Sequence, residues 1–295
     1  MERFCYFNGG IVPLQEAKVG LYDLALLRGF GIYEGLITYN RKPFAFADHM
    51  ARMHRSAEKM QLKIPVSDSE LENILSALIE KNVPKGKEGL IRIILTGGVA
   101  IEGIIHDPAH PTFFALVEEF HPIDRKYLSE GCAVATFEHQ RQMPELKTIN
   151  YIQAVLLQKT KKEKGVLEVL YTSGGHVLEA TGSNFFIVQE GVIVTPKEGI
   201  LEGITRKVVI ELARSNGLVV EEDVVSTGAM YSADEAFITG SFKDVVPVVR
   251  VDDKKIGDGT VGPVTRQILQ LFDSYARQWG KRQKQNAPRK GALAA

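Results

Sequence analysis

Residues 144–151 read PELKTINY, residues 179–186 read EATGSNFF and residues 201–206 read LEGITR. Each stretch places a polar group at a change of chain direction. Lys147 lies between a proline-containing loop and helical sequence, and Glu179 ends a strand just before a turn-rich segment. The third stretch opens a helix. Together they offer a primary amine, a carboxylate and the free backbone amides of a helix N-terminus.

Pyridoxal phosphate needs these three groups: an amine for its aldehyde, a carboxylate for its ring nitrogen and a helix N-terminus for its phosphate. In this order they resemble the class IV (fold type IV) aminotransferases. That family contains the D-amino-acid and branched-chain aminotransferases and aminodeoxychorismate lyase. The resemblance runs from about Asn8 to about Phe272. It implies an α+β fold of two lobes, like that of D-amino-acid aminotransferase, with the active site between the lobes.

Composition narrows the possible partners. The chain has 295 residues, 44% of them apolar, and equal numbers of acidic and basic residues, 36 of each, so it is long enough for two compact lobes. A balanced surface does not steer nucleic acid or an acidic membrane toward the protein, so we expect small-molecule substrates and neither of those partners. The two cysteines cannot build a disulfide framework or a tetrahedral metal site, which favours a reducing compartment and no metal. The sequence has no signal-peptide pattern and no bilayer-length apolar run, so a cytoplasmic location is expected.

The pattern of apolar residues that predicts strands and helices is interrupted at residues 118–124 (EEFHPID), and we place the boundary between two lobes there. We predict a small α+β lobe at residues 1–118, a linker at 119–125 and a large α+β lobe at 126–280 that carries the cofactor. Residues 281–295 contain five basic residues and no acidic residue, so a disordered tail is predicted there.

Strands and helices mix without strict alternation. Residues 31–39 (GIYEGLITY) alternate like a strand, and residues 49–60 have helical spacing with Asp48 positioned to cap them. Ser67 and Glu70 form a capping box before a second helix. The large lobe is predicted to contain strands at 132–137, 166–171, 184–188, 192–195 and 235–239, and helices at 152–164, 205–215 and 264–279.

The resemblance makes Lys147 the catalytic residue, the lysine that bonds to the cofactor aldehyde. Such an amine must be neutral to attack, so it needs desolvation or a cationic neighbour to lower its pKa. Once the substrate displaces it, the free amine can act as the base for proton transfer. Glu179 matches the carboxylate that keeps the ring nitrogen protonated, which makes the ring an electron sink.

The phosphate site is expected at the start of the 205–215 helix, with a second loop after strand 235–239. Arg52 matches an arginine that clamps the same phosphate, because a guanidinium suits a bidentate contact. The cofactor-binding residues predicted besides Arg52, Lys147 and Glu179 are Tyr151, Ser183, Asn184, Gly203, Ile204, Thr205, Gly240 and Ser241.

The substrate side departs from the family pattern. Branched-chain enzymes typically carry Tyr-x-Arg where this chain has Leu90 and Arg92, and typical D-amino-acid enzymes carry an arginine where this chain has the Gly97 turn. Arg28 falls where branched-chain enzymes tend to have tyrosine. We therefore interpret Arg28 and Arg92 as a differently built grip for the substrate carboxylate, although either could instead pair with Glu34 or Glu118. The other substrate-binding residues predicted are Tyr33, Ser241 and Phe242.

These features predict a pyridoxal-phosphate aminotransferase that moves an amino group between an amino acid and a 2-oxo acid, with 2-oxoglutarate and glutamate as one pair. The two arginines and the missing tyrosine favour D-amino acids. A branched-chain L-amino-acid enzyme is the first alternative, aminodeoxychorismate lyase the second, and a non-catalytic cofactor-binding protein a third. The resemblance also implies a homodimer with composite sites, in which Arg28 reaches the other chain's cofactor. Substrate handedness stays open, because the pocket walls decide it.

Overall fold

The computed structural model describes residues 2–281, which form two β-sheets with helices packed against them. The first sheet has six strands in the order β2-β1-β6-β5-β3-β4. The elements of this part of the chain are β1 (Phe4–Phe7), β2 (Gly10–Pro13), α1 (Leu24–Arg28), β3 (Gly31–Tyr39), β4 (Lys42–Pro43), α2 (Phe46–Lys59), α3 (Asp68–Asn82), β5 (Gly89–Thr96), β6 (Thr112–Glu119) and α4 (Lys126–Ser129).

Helices α2 and α3 bury one face of this sheet. The N-cap half of the capping box predicted for α3 is confirmed, because the Glu70 amide donates to Ser67 Oγ at 3.2 Å. Leu71, Leu75 and Leu78 then follow at helical spacing and are fully buried against the sheet. This core fixes the position of β3, the strand nearest the second sheet.

The second sheet has ten strands and curls until β9 pairs with β10, which gives it a barrel-like closure. Its strand path is β12-β11-β10-β14-β15-β7-β8-β9-β13, with β16 beside β15. The elements are β7 (Cys132–Glu138), α5 (Ile152–Leu156), α6 (Gln158–Lys164), β8 (Glu168–Ser173), β9 (His176–Ala180), β10 (Ser183–Gln189), β11 (Val192–Thr195), α7 (Ile204–Ser215), β12 (Val220–Glu222), β13 (Val225–Ser226), α8 (Thr227–Ser232), β14 (Glu235–Gly240), β15 (Asp244–Val251), β16 (Lys254–Lys255) and α9 (Pro263–Gln278).

Most predicted elements are present with small shifts at their ends, and three predictions need correction. Asp48 does not cap its helix, because α2 begins at Phe46 with Ala45 as its N-cap and Asp48 lies in the first turn. The helix predicted at 152–164 is divided at Leu157 into α5 and α6. Strand β15 was missed. The division of the chain at 119–125 stays a prediction, and the tail predicted at 281–295 lies outside the described residues apart from Lys281.

The two sheets meet where β3 runs along the loop that carries Lys147. The Tyr33 amide donates to the Lys147 carbonyl at 2.9 Å, and the Ile149 amide donates to the Gly31 carbonyl at 3.1 Å. A strand of the first sheet therefore holds the central loop of the second by backbone hydrogen bonds. Within the described range, no helix has both the length and the apolar character needed to cross a membrane.

Candidate active site

A cleft at this junction gathers all the residues that the sequence predicts as cofactor-binding. It is lined by Arg52, Lys147, Tyr151, Glu179, Ser183, Asn184, Gly203, Ile204, Thr205, Gly240 and Ser241. These residues come from α2, from the loop before α5, from β9 and β10, and from the loops at α7 and β14. Their grouping is observed, and the individual roles stay predictions.

Lys147 is the central amine of the cleft. Its Nζ donates to the Tyr33 hydroxyl at 3.1 Å. Burial, together with the charges of the nearby Arg52 and Arg141 guanidinium groups, lowers the pKa of Lys147 to about 7, although Glu34 and Glu179 act in the opposite direction. The neutral form of this amine is therefore much more favoured near pH 7 than in an ordinary lysine, which is almost fully protonated there.

Two tyrosine hydroxyls extend this contact. Tyr33 Oη lies 2.6 Å from Tyr151 Oη, so Lys147, Tyr33 and Tyr151 form one hydrogen-bonded chain. Burial raises the pKa of both phenols above their ordinary value, so both stay protonated at neutral pH. Each hydroxyl can then donate one hydrogen bond and still accept another.

Arg52 is held by a buried carboxylate. Its Nε and one terminal nitrogen donate to the two oxygens of Glu34 at 2.8 and 2.7 Å, and the other terminal nitrogen donates to the Glu202 carbonyl at 2.9 Å. Burial alone would raise the pKa of Glu34, but Arg52 and His49 outweigh it and lower that pKa to about 2. One edge of Arg52, formed by Nε and one terminal nitrogen, is therefore directed at Glu34, and a contact between Arg52 and the phosphate stays a prediction. Only its remaining N–H groups can reach a ligand.

Glu179 has a partner that the sequence analysis missed. Arg141 Nε donates to one Glu179 oxygen at 2.7 Å, and the Leu201 amide donates to the other at 3.0 Å. Burial raises the pKa of Glu179, and these donors oppose the effect without cancelling it. Arg141 itself lines the cleft. It follows a polar stretch with no diagnostic spacing, so nothing in the sequence distinguished it from a surface arginine.

The N-terminus of α7 is open to the cleft. Its N-cap, Gly203, has no side chain, so the first amides of the helix receive no side-chain cap. A Cβ at Gly203 would lie 2.0 Å from Asn184 Oδ1, so only glycine fits beside that amide. Asn184 in turn donates to the Leu201 carbonyl at 2.7 Å, which fixes the approach to the helix.

The opposite wall of the cleft carries an unsatisfied donor. Among the described residues, Thr239 Oγ1 is buried with no hydrogen-bond partner, and Thr239 lines this cleft. A Cβ at Gly240 would lie 2.9 Å from the Gly182 carbonyl, so the two loops approach each other more closely than a side chain allows. An anion between the hydroxyl and the open helix end would satisfy both, and so these residues fit a phosphate group.

The predicted substrate residues are only partly brought together. Tyr33 contacts Lys147, and the Phe242 ring packs on Gly35, where a Cβ would lie 2.7 Å from Phe242 Cζ. Arg28 lies exposed at the end of α1 and donates to the carbonyl of the preceding residue. Arg92 forms an ion pair with Glu118, and both side chains are 40% exposed. Neither arginine lines the cleft. Within this chain Arg92 pairs with Glu118, which is the structural alternative considered for it from the sequence.

Residues 31–251 match the family model described as amino-transferase class IV. A putative branched-chain-amino-acid aminotransferase of Methanocaldococcus jannaschii is 33% identical, over 93% of this chain and 97% of that protein. A D-alanine aminotransferase of Staphylococcus haemolyticus is 32% identical, over 92% of this chain and 96% of that protein. The structure of a branched-chain amino acid aminotransferase of Escherichia coli superposes with a TM-score of 0.86 and 28% identity, covering 95% and 98% of the chains. The structure of a second such enzyme, from T.th. and with pyridoxamine 5'-phosphate, superposes with a TM-score of 0.85 and 27% identity. The match covers 94% of this chain and 95% of that chain.

The environment of Lys147 predicts an unusual titration. In the folded, cofactor-free protein, its acylation by trace acetic anhydride should level off above about pH 7 and fall roughly tenfold per unit below it. Peptide mapping by mass spectrometry measures the rate at each pH. The same lysine in urea is the control, where the ordinary value of 10.5 applies. A folded-state midpoint near 10 would contradict the described environment.

Proposed function

This chain belongs to the class IV aminotransferases, which are pyridoxal-phosphate enzymes, and we propose that it transfers amino groups between D-amino acids and 2-oxo acids with Lys147 as its catalytic residue. Family membership confirms the predicted two-lobe α+β fold, the predicted enzyme class and the predicted cofactor. The observation that carries the proposal is the convergence of Lys147, Glu179 and the open N-terminus of α7 on one cleft. The use of 2-oxoglutarate and glutamate as one substrate pair belongs to the proposal.

The cleft offers one group for each part of the cofactor. When bound, pyridoxal phosphate withdraws electrons from the substrate's α-carbon and so makes the α-proton acidic. Ile204 and Thr205 would hold the phosphate with their amides, and Thr239 and Ser241 would add hydroxyl donors from the facing loop. Glu179 would face the ring nitrogen, because it lines the cleft and a charged carboxylate favours the protonated form of that nitrogen.

Lys147 would transfer the substrate proton, and the neighbouring tyrosine hydroxyl would position its amine. The lowered pKa of Lys147 favours the neutral amine, so it could accept the substrate's α-proton and release it in a later proton transfer. Tyr33, 3.1 Å away, holds the amine in place in both protonation states, because a phenol both donates and accepts. Arg52 and Arg141 favour the neutral amine by their charge.

The preference for D-amino acids rests on the substrate side. Leu90 stands where branched-chain enzymes of this family carry tyrosine, and the Gly97 turn has no arginine of its own. A carboxylate in a desolvated cleft still requires donors, and Arg28 and Arg92 are the candidates. Arg92 would exchange its partly exposed pairing with Glu118 for the substrate. The second candidate is a branched-chain L-amino-acid enzyme, favoured by the retained Arg92 and by similarity to proteins of that name.

Arg28 can serve the site only across a subunit interface, so the proposal includes a homodimer. Exposed apolar side chains surround Arg28 on and beside α1, a pattern typical of a surface that another chain covers. They are Leu21 (81% exposed), Tyr22 (73%), Leu26 (61%), Ile101 (68%) and Ile104 (68%). In a symmetric pair, each Arg28 would then reach the partner's cleft.

A half-reaction screen tests the substrate class. Single amino acids are added to the cofactor-loaded protein, and the visible absorbance of the bound cofactor is followed. D-Alanine and D-glutamate should react at least about tenfold faster than L-leucine and L-isoleucine, because contacts with the walls of the pocket determine how strongly an enzyme discriminates between substrates. The Lys147→Ala variant is the control and should not turn over. Faster reaction of L-leucine would refute the D-amino-acid proposal and favour the branched-chain candidate.

Mixed dimers test the position of Arg28. Neither Lys147→Ala nor Arg28→Ala chains should be fully active alone, but mixing them should return part of the activity, because half of the sites in a mixed dimer then carry neither change. Lys147→Ala mixed with Glu179→Gln is the matched control. Both of its changes affect residues of one chain's cleft, so every site keeps one lesion. If subunits exchange and the Arg28→Ala mixture gains nothing, Arg28 does not act across the interface.

A further inference from the structure

A buried carboxylate lies beneath the wall of the cleft without lining it. The side chain of Glu168, on β8, is only 2% exposed. Its Oε1 accepts from Ser183 Oγ at 3.2 Å, and its Oε2 accepts from the Thr181 hydroxyl. Thr181 and Ser183 both line the cleft, so Glu168 fixes one of the loops that face the open end of α7.

The second loop of that wall is tied to the same carboxylate. Lys243 Nζ lies 2.6 Å from Glu168 Oε1, and the Lys243 amide donates to the Gly240 carbonyl at 3.0 Å. Burial would raise the pKa of Glu168, but Lys243 and Lys161 outweigh it and lower that pKa, so the carboxylate is charged. Lys161 is less closely engaged, at 4.0 Å from Oε2. One ion pair thus joins the two loops of the wall.

Phe242 and Asp244, the residues on either side of Lys243, contact the first sheet. The Phe242 ring packs on Gly35 of β3, and the Asp244 carboxylate accepts from the Tyr39 hydroxyl at 2.7 Å. Both contacts are with the first sheet. Lys243 is the residue of this turn that anchors it to the second sheet, between two residues that anchor it to the first.

We propose that Lys243 is a positioning residue, and that its ion pair with Glu168 sets the spacing between the Thr181–Ser183 loop and the Gly240–Ser241 loop. This spacing leaves room for the cofactor phosphate between Thr239, Ser241 and α7. The proposal rests on the placement of the cofactor given above. Without the pair, the turn keeps its β14–β15 backbone pairing and its side-chain contacts with β3, but no ion pair joins it to the Thr181–Ser183 loop, and the distance between the two sets of phosphate donors changes.

The test compares two ligands on cofactor-free protein. Pyridoxal phosphate and pyridoxal differ only in the phosphate, and both dissociation constants can be measured by absorbance titration. Lys243→Met should weaken pyridoxal phosphate by about 10- to 100-fold, the usual cost of losing a supporting contact, and pyridoxal by less than about threefold. Lys243→Arg, which keeps the charge, should recover part of the loss.

Lys161→Met is the matched control, because it removes a lysine near the same carboxylate that has no link to the cleft wall. It should change both constants by less than about threefold. Since Lys243→Met leaves a buried charge poorly paired, the double variant Glu168→Gln/Lys243→Met is measured too, and thermal unfolding of the cofactor-free proteins checks that each folds. The double variant should show the same selective loss.

Unchanged affinity of either Lys243→Met protein for pyridoxal phosphate would overturn the proposal. So would an equal loss for both ligands, which would mean that the pair supports the fold and not the phosphate wall. Failure of the wild-type protein to bind pyridoxal phosphate in a Lys147-dependent way would instead refute the cofactor placement. The two failures are therefore distinguishable.

Discussion

The site depends on the alternation of side chains along β3. Successive residues of a strand point to opposite faces, so Tyr33 faces Lys147 while Glu34 points back toward α2 and holds Arg52. The backbone of the same strand donates to the Lys147 carbonyl. One strand of the first sheet thus positions the amine, its hydroxyl partner and a guanidinium of the second sheet's cleft. A one-residue shift of β3 would exchange both faces and remove all three contacts.

Charge within the cleft is balanced in pairs. Arg52, which is buried, pairs with Glu34, and Arg141, which is partly buried, pairs with Glu179, so a carboxylate offsets part of the desolvation cost of each guanidinium group. Lys147 has no carboxylate of its own among its close contacts in the described part of the chain. Burial and the charges of both arginines together lower the pKa of Lys147 to about 7. The two ion pairs therefore lower the cost of burying the arginines, and the arginine charges favour the neutral form of the Lys147 amine.

The residues predicted to bind the cofactor lie together in one cleft, whereas those predicted to bind the substrate are only partly brought together. Lys147, Glu179 and Gly203 lie in short motifs whose local structure follows from the residues themselves, and the structure gathers them in one cleft. Arg141 and the Glu34 pairing depend on contacts between distant parts of the chain, which local pattern does not reveal. The proposed role of Arg28 requires a second chain, so neither the sequence nor a single chain can fix the position of Arg28 in the site. The missed strand β15 begins at Asp244, where φ is positive, and the largely apolar residues 245–251 follow.

The central claim is that Lys147 is the amine that bonds the cofactor, and borohydride reduction tests it most directly. The reagent makes the bond between the cofactor and a lysine irreversible, and peptide mapping then locates the modified residue. The account predicts a modified peptide containing Lys147, and no modified lysine in the Lys147→Ala variant. Modification of another lysine in the wild-type protein, such as Lys243 beneath the cleft wall, would contradict it.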